Sequence, residues 1–446
     1  MKTRTAQRMC SALFRARSHG ICALVFVVAS PLPLFAARHR TVEHPLAQRA
    51  SIRDLAVRVA ESARIDQFQP RLHWENAPFL DGLVLLGEEL NREQPGSGDA
   101  LIERAAAVIL ESDDDVESVS WGDGTAFSQV AMDLVRVLPA GDARRSQLVA
   151  LLAGPTEFAR HAIRDRPDET SPRDPWWIAG GYGTRYWEDD VYMVIPWLAM
   201  AGSSREGLPA DPLARDLAYE WIEAYVYDHR PSSSDPRVVA VPTNPSRNGL
   251  LLFDDQSGLF FHAPEDRGAD RFWGRGNAWV AVGLLRSAEA LDSPYGGSQY
   301  VEVVDAPAIR GLLKGMASSL VARRTPDGGW GASLSDPAFC PSAETSATGL
   351  LTFFLARGIN EGWLDRETYA PVVMRAFGVL LGRIAPDGSV SGIQPPGIGP
   401  ACDVVTSVNA DVNYGVGAVI LAISEVLRLT DQQSFRKTNG VARTER

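Results

Sequence analysis

The chain has 446 residues, of which 45% are hydrophobic and 22% are charged, so it can bury a large core and is neither a disordered protein nor a coiled coil. Its formal net charge of −11 argues against a general nucleic-acid binder, which needs a basic face. The histidines and cysteines are scattered and lack the close spacing of a zinc site. We therefore expect no nucleic-acid partner, no metal and no cofactor.

The N-terminal segment predicts export from the cytoplasm. Residues 1–20 carry five basic side chains and no acidic one, and an apolar run over 21–37 ends in small residues. This pattern is typical of a secretory signal peptide, which we assign to residues 1–37. The alternative, a permanent membrane anchor, is disfavoured because Pro31 and Pro33 interrupt a run that is short for a span. We expect a periplasmic or secreted protein with no stable membrane span once the signal is removed.

Two cysteines, Cys340 and Cys402, lie after the predicted signal in loop-like sequence. In an oxidising compartment they could form a disulfide bond. The sequence does not determine how far apart they lie, and a disulfide needs Cα atoms within about 7 Å of each other. Both the paired and the free states stay open at this point, as does the oligomeric state.

Two kinds of helical segment alternate along the rest of the chain. One kind has an apolar stripe on a single face, as expected of an outer layer. These segments are 52–60, 99–111, 144–153, 211–227, 309–320 and 372–381. The other kind is apolar nearly all round, as expected of buried helices. These segments are 77–90, 124–138, 190–201, 278–291, 346–357 and 415–429.

The alternation predicts an all-α fold in which six buried helices are ringed by six outer ones. This arrangement is an (α/α)6 toroid, and it forms one closed domain rather than two. We place that single domain at residues 45–432 and expect a polar C-terminal tail over 433–446.

Polar and aromatic residues collect just before each buried helix. All six helix starts face the same way in an alternating toroid, so these clusters should converge on one mouth. Helix capping accounts for single Asp, Asn, Ser or Thr residues, but it does not require tryptophan, arginine or doubled acids. The clusters are Trp74, Glu75 and Asn76; Trp121 and Asp123; Trp187, Glu188, Asp189 and Asp190; Trp273, Arg275, Asn277 and Trp279; Glu344, Thr345 and Ser346; and Asp411 and Asn413.

Four segments resemble motifs of the unsaturated glucuronyl and rhamnogalacturonyl hydrolases, which are glycoside hydrolases of families 88 and 105. Residues 187–193 (WEDDVYM, with a proline soon after) resemble W-x-D-x-L-[FY]-M…P, and residues 258–262 (GLFFH) resemble G-L-x-x-H. Residues 272–279 (FWGRGNAW) resemble W-x-R-G-N-x-W. Residues 327–330 and 344–348 (DGGW and ETSAT) resemble D-G-x-W…E-T-S-A. The motifs occur in the family's order, and the resemblance extends from residue 120 to about residue 400.

The resemblance implies the (α/α)6 fold and removal of a terminal 4,5-unsaturated uronic acid from an oligosaccharide. In the family an aspartic acid protonates the enol-ether double bond, water adds at the other carbon, and the resulting hemiketal releases the next sugar. By position this acid is Asp189. A general acid needs a raised pKa, which neighbouring Glu188 and Asp190 would favour and a helix N-terminus would oppose. The alternative is that Asp189 or Asp190 only caps its helix.

The resemblance also implies a second acid and a set of substrate contacts. Asp123 is the candidate second carboxylate, although turn formation is an equal alternative. His262 either bonds the sugar ring or relays a proton, and Arg275 either pairs with the uronate carboxylate or forms a structural salt bridge. Glu344 either binds hydroxyls or completes a buried polar network. The remaining predicted substrate contacts are Trp187, Asp190 and Asn277. Trp273, Trp279 and Trp330 are expected to offer ring faces on which sugars stack. For Trp279 the alternative is a place in the hydrophobic core.

One family element is missing. Rhamnogalacturonyl members carry a W-H-K-like element before the aspartate, whereas residues 176–181 read WWIAGG. We expect the following loop to supply other contacts, with Arg185 as a second carboxylate partner. Two further functions stay open: a conventional uronidase such as a β-glucuronidase, which would pair Asp189 with Glu344 or Asp123, and a non-catalytic carbohydrate-binding toroid.

Overall fold

A computed structural model gives the fold of this chain. It describes residues 45–65, 72–114, 116, 122–164, 187–203, 209–226, 252–254, 256–262, 271–291, 306–335, 340–396 and 412–441. The predicted signal peptide at 1–37 lies outside these ranges. Within them, no helix is both long and apolar enough to cross a membrane.

Helices dominate the described residues. Their bounds are α1 (Pro45–Ser62), α2 (Ala77–Glu93), α3 (Asp99–Leu110), α4 (Phe127–Val137), α5 (Arg144–Ala150), α6 (Ala153–Arg164), α7 (Asp190–Met193), α8 (Ile195–Ala201), α9 (Pro212–Val226), α10 (Gly274–Leu291), α11 (Ala306–Ala322), α12 (Thr345–Asn360), α13 (Arg366–Leu381) and α14 (Asn413–Val441). A short 3-10 helix spans Gly122–Thr125. Strands β1 (Phe253–Asp254) and β2 (Leu259–Phe260) pair antiparallel, with Phe253 opposite Phe260.

The helices form two concentric layers. The inner ring runs α2, α4, α7–α8, α10, α12 and α14, and each member contacts the next, with α14 returning to contact α2. The outer layer consists of α1, α3, α5–α6, α9, α11 and α13. Each packs on an inner helix except α6, which contacts α9 and the 3-10 helix. The inner helices are buried nearly all round, whereas the outer ones bury only one face. The predicted all-α (α/α)6 toroid is therefore confirmed.

Three details differ from the segments expected from sequence. The third inner helix is broken at Val194, where Pro196 in the first turn of α8 has no N–H to continue the hydrogen-bond ladder. The third outer segment is two helices, α5 and α6. The last inner helix continues to Val441, through the first part of the polar tail expected at residues 433–446. The limits of the single domain, residues 45–432, stay a prediction.

The inner ring closes through backbone contact between its first and last helices. A Cβ atom on Gly417 of α14 would overlap the backbone of Pro78 and Phe79 in α2. One helix along, a Cβ on Gly349 of α12 would lie 2.7 Å from the carbonyl carbon of Ala418 in α14. Side chains at these crossings would push the helices apart, so glycine is what allows the ring to be this narrow.

Buried ion pairs cross the interior of the ring. Arg286 of α10 donates to Asp81 of α2 and to Asp133 of α4, and these side chains are at most 5% exposed. Because α10 and α2 lie three positions apart in the ring, this cluster ties opposite walls together. Towards the C-terminal ends of the inner helices, Arg357 of α12 bonds Glu289 of α10 at 2.8 Å.

Cys340 forms a disulfide bond and is 4% exposed. Cys402, with which we predicted it could pair, lies outside the described residues.

We expect Gly417→Ala to lower the free energy of unfolding by about 1–3 kcal/mol, because the added methyl group overpacks the α14–α2 contact. Gly311→Ala is the matched control, since that glycine is exposed on outer helix α11 and a Cβ there meets nothing within 4 Å. The control should be stabilised by about 0.5–1 kcal/mol through helix propensity. Urea unfolding of both variants measures their free energies of unfolding. Equal effects at the two positions would contradict the close packing of α14 against α2.

Candidate active site

Three acids meet where the second and third inner helices begin. Asp123 lies in the 3-10 helix before α4, and Asp189 and Asp190 lie at the start of α7, which contacts that 3-10 helix. The hydroxyl of Thr125 bonds the carbonyl oxygens of Gly122 and Met193, each at 2.8 Å. These bonds hold the two segments together, so acids far apart in the chain share one site at the barrel mouth.

The electrostatics of the site favour protonated acids. Burial raises the pKa of the Asp189 carboxyl, while the charges of His262 and Arg275 act in the opposite direction without cancelling it. Burial also raises the pKa of Asp123 well above its ordinary value, and the neighbouring acids Asp189, Asp190 and Glu75 raise it further. Two carboxyls at the mouth can therefore hold protons at a pH where exposed carboxyls have lost them.

Asp189 does not act as a helix cap in this structure. It occupies the N-cap position of α7, but among the described residues no backbone N–H donates a capping hydrogen bond to its side chain. Its side chain is 13% exposed, and its Oδ2 atom is buried with no hydrogen-bond partner in the described part of the chain. A carboxyl with a raised pKa and a partly exposed side chain suits a general acid.

Asp190 contacts an outer helix and the turn that carries Asp123. The hydroxyl of Tyr225, from outer helix α9, donates to its Oδ2 atom at 2.6 Å. A Cβ atom on Gly122 would overlap the Oδ1 atom of Asp190. The carboxylate therefore packs directly against the turn that carries Asp123. Asp190 is partly exposed, and its expected contact with substrate stays a prediction. Tyr225 lies on an outer helix and was not identified from the sequence.

His262 lies beside the catalytic candidate. It follows strand β2, and its Nδ1 atom is 3.6 Å from both the Oε1 atom of Glu188 and the Oδ2 atom of Asp189. Trp187 stacks on its ring with centroids 6.0 Å apart, and Trp273 meets it edge-on at 4.8 Å. The ring is 21% exposed, so it can contact a ligand as well as Asp189.

Asn277 anchors the hairpin that carries His262. Its Oδ1 atom accepts from the N–H of Phe260 at 2.8 Å, and its Nδ2 atom donates to the carbonyl oxygen of Phe260 at 2.9 Å. The side chain is fully buried. The expected direct contact with substrate does not agree with this burial, because both ends of the amide are occupied by strand β2.

Arg275 and Trp273 hold the segment at residues 394–395. Arg275 is 1% exposed and donates to the carbonyl oxygens of Gln394 at 2.7 Å and Pro395 at 3.1 Å. Its guanidinium lies 4.6 Å from the ring centroid of Trp273 and 4.8 Å from that of Tyr414. The expected pairing with a uronate carboxylate does not agree with this burial, and the alternative salt bridge is replaced by carbonyl and aromatic partners.

Glu344 and two of the tryptophans belong to the interior. Glu344 is fully buried and accepts hydrogen bonds from the N–H groups of Ser346, Ala347 and Gln394 at 2.7–2.9 Å, which is the buried-network alternative. Trp279 and Trp330 are both 0% exposed. Stacking on a sugar needs an exposed ring face, so the expectation that they bind sugars is corrected: both pack in the core.

Aromatic surface does remain at the mouth. Trp187 is partly exposed, as is Trp74, which stacks on Tyr414 with centroids 5.2 Å apart. Trp74 was placed at the mouth by the sequence but was given no role. Arg185 lies outside the described residues, as do Trp121 and Asp411. Among the described residues there is no cluster of three or more His, Cys, Asp or Glu side chains that could hold a metal.

Comparison with known families identifies the family of the chain. The sequence model of Glycosyl Hydrolase Family 88 matches residues 52–430. The chain belongs to this family. Two curated relatives are both described as "Unsaturated 3S-rhamnoglycuronyl hydrolase". The one from Alteromonas sp. is 37% identical over 183 residues, which is 40% of this chain and 41% of the relative. The one from Formosa agariphila is 36% identical over 160 residues, which is 36% of this chain and 40% of the relative.

The chain thus spans about two fifths of the length of these two curated relatives. Solved structures agree on the fold over a longer range. A family 88 glycosyl hydrolase from Bacteroides vulgatus has a TM-score of 0.58 at 21% identity, covering 85% of this chain and 99% of that one. The unsaturated glucuronyl hydrolase of Bacillus sp. GL1 has a TM-score of 0.51 at 16% identity, covering 84% and 95%.

We expect Asp123→Asn to stabilise the protein at pH 7. The folded-state pKa of Asp123 is raised, so the folded protein holds this proton above the pH at which the unfolded chain has lost it, and stability falls as pH rises through that window. Removing the carboxyl abolishes this loss. The gain should therefore be present at pH 7 and should disappear near pH 3.5, below the ordinary pKa of about 3.9 for Asp.

Urea unfolding of the wild type and of Asp123→Asn at the two pH values checks this expectation. Asp387→Asn is the control, because Asp387 lies in an exposed turn where hydrogen bonds from Ser389 lower the pKa of its carboxyl. This control should show no gain at pH 7. A stabilisation of Asp123→Asn that is the same at both pH values would mean that the ionisation of Asp123 is not its cause.

Proposed function

We propose that this protein removes a terminal 4,5-unsaturated uronic acid from oligosaccharides by hydrating the double bond. The observation that carries the proposal is Asp189, a carboxyl at the barrel mouth whose pKa is raised by burial. Beside it lie a second acid with a raised pKa, Asp123, and an imidazole, His262. Membership of family 88 and the names of the two curated relatives support the same chemistry.

The proposed reaction begins with proton transfer from the carboxyl of Asp189 to C4 of the enol ether. The positive charge that develops at C5 is shared with the ring oxygen, and a water molecule adds at C5. The water's proton returns to the Asp189 carboxylate, which restores the acid. The product is a hemiketal, and its opening releases the next sugar. A general acid contributes about 10²–10⁴ to such a rate.

Other groups at the mouth bind the substrate in this proposal. Neutral Asp123 donates a hydrogen bond to a sugar hydroxyl, and the partly exposed faces of Trp187 and Trp74 pack on sugar rings. Arg185 is our candidate for the uronate carboxylate, since Arg275 is already engaged with two backbone carbonyls. The names of the curated relatives make an unsaturated rhamnoglycuronyl oligosaccharide the first substrate to test.

We also propose that the enzyme works in the periplasm or outside the cell. The support for this is the signal-like pattern of residues 1–37, with basic residues followed by an apolar run.

We expect wild-type protein to abolish the ultraviolet absorbance of lyase-generated unsaturated oligosaccharides, and Asp189→Asn to do so at least about 100-fold more slowly, because the amide has no proton of suitable acidity. Asp387→Asn makes the same chemical change in an exposed turn and should keep the wild-type rate. The measurement is the initial rate of absorbance loss with each protein.

Three other outcomes would overturn the proposal. Wild-type protein that leaves every unsaturated substrate intact but cleaves saturated uronides is a conventional uronidase with paired carboxylates. Protein that binds saccharides equally well with and without the Asp189 carboxyl, and turns none over, is a carbohydrate-binding toroid. Equal rates for wild type and Asp189→Asn would assign the acid to another residue.

A further inference from the structure

Glu188 is a buried acid that the proposed reaction does not use. It directly precedes Asp189, yet its side chain is 0% exposed and so cannot touch a sugar in the mouth. The chain makes room for it, because a Cβ atom at Gly276 would overlap its Oε1 atom. A buried carboxylate is costly unless it is bonded to a donor. A buried carboxylate at the position next to the general acid therefore points to a role in supporting that acid.

The partners of Glu188 lead to His262. The Nδ2 atom of Asn277 donates to Oε2 of Glu188 at 3.3 Å, and Nδ1 of His262 lies 3.6 Å from Oε1. The backbone N–H of Glu188 also donates to the carbonyl oxygen of His262 at 3.1 Å. Backbone and side chain thus both connect the two residues, which lie on different segments of the chain.

Two carboxyl groups face one nitrogen of this imidazole. Nδ1 of His262 is 3.6 Å from Oδ2 of Asp189 and the same distance from Oε1 of Glu188. Trp187 and Trp273 pack against the ring and keep it in this orientation. Arg275 of α10 and the acid Asp123 also interact electrostatically with Asp189. A lone pair on Nδ1 would be repelled by the Glu188 carboxylate, and also by Asp189 once that residue has given up its proton, so in this inference the nitrogen carries a proton.

We infer that Glu188 is a positioning residue that acts on Asp189 through His262. While Asp189 holds its proton, the Nδ1–H of His262 is directed to Glu188. Once Asp189 has given its proton to the substrate, the same N–H serves the new Asp189 carboxylate. Glu188 thereby keeps Nδ1 protonated throughout the cycle, as second carboxylates do for metal-binding histidines. The kinetic part of this inference rests on the proposed function, and the spectroscopic part does not.

The first test needs no substrate. NMR titration of the His262 imidazole in the full chain should show that Glu188→Gln increases its acid ionisation constant by roughly tenfold or more, because a carboxylate close to Nδ1 is lost. Glu75→Gln is the matched control, since Glu75 lies at the same mouth but acts on Asp123. Glu188→Asp, which retains the charge, should restore most of the wild-type value. Equal titration of His262 in wild type and Glu188→Gln would overturn the inference while leaving the proposed function intact.

The second test is a double-mutant cycle on turnover. Glu188→Gln should lower kcat with little change in KM, because Glu188 does not touch the substrate. In a His262→Gln background, Glu188→Gln should cause no further loss, since its effect passes through the imidazole. Independent, multiplicative losses would overturn the inference. Should Glu188→Gln fail to fold, Glu188→Asp carries both measurements. Because it retains the carboxylate, it should keep a His262 ionisation constant and a kcat near those of wild type. A kcat that falls while the ionisation constant is kept would contradict the inference.

Discussion

Closure of the inner helical ring is the constraint on which the rest of this structure depends. The first and last inner helices, α2 and α14, meet backbone to backbone at Gly417, where there is no room for a side chain. Once the ring is closed, all six inner helices begin at one end of the barrel. The residues that precede these helices are thereby brought together, although they are spread over most of the sequence. The active site is a consequence of ring closure rather than of any one local motif.

Closure also determines the electrostatics of the mouth. The acids at the helix starts are partly enclosed by neighbouring segments, so burial raises the pKa of Asp123 and Asp189. This burial destabilises the fold at neutral pH, and it is also what makes an acid catalyst possible. Deeper in the ring Arg286 lies between Asp81 and Asp133 and donates to both. It lowers the pKa of Asp133, whereas burial still raises the pKa of Asp81. The acids that support the walls are thus paired with an arginine.

Many of the polar side chains at the mouth hold other residues in place rather than facing a ligand. Arg275 holds the segment at residues 394–395, Asn277 holds the hairpin of His262, and Glu344 caps α12 while accepting from Gln394. These groups form a buried layer beneath the few side chains that remain accessible. Such a layer keeps the groups at the mouth oriented: buried Asn277 holds the hairpin of His262, and buried Tyr414 supports Trp74.

The amino-acid sequence was enough to predict the architecture and to propose the general acid. Helical periodicity is a local property, so the alternation of one-sided and buried helices could be predicted from the sequence. The W-E-D-D segment likewise placed Asp189 at a helix start. The sequence could not determine which motif residues face the mouth. Arg275, Asn277, Trp279 and Trp330 were expected to touch substrate and are buried, because burial depends on contacts with distant segments such as residues 394–395. Only the tertiary structure could place Tyr225 against Asp190, or His262 between Glu188 and Asp189, since each contact joins elements whose separation is set by the closed ring and not by the local chain.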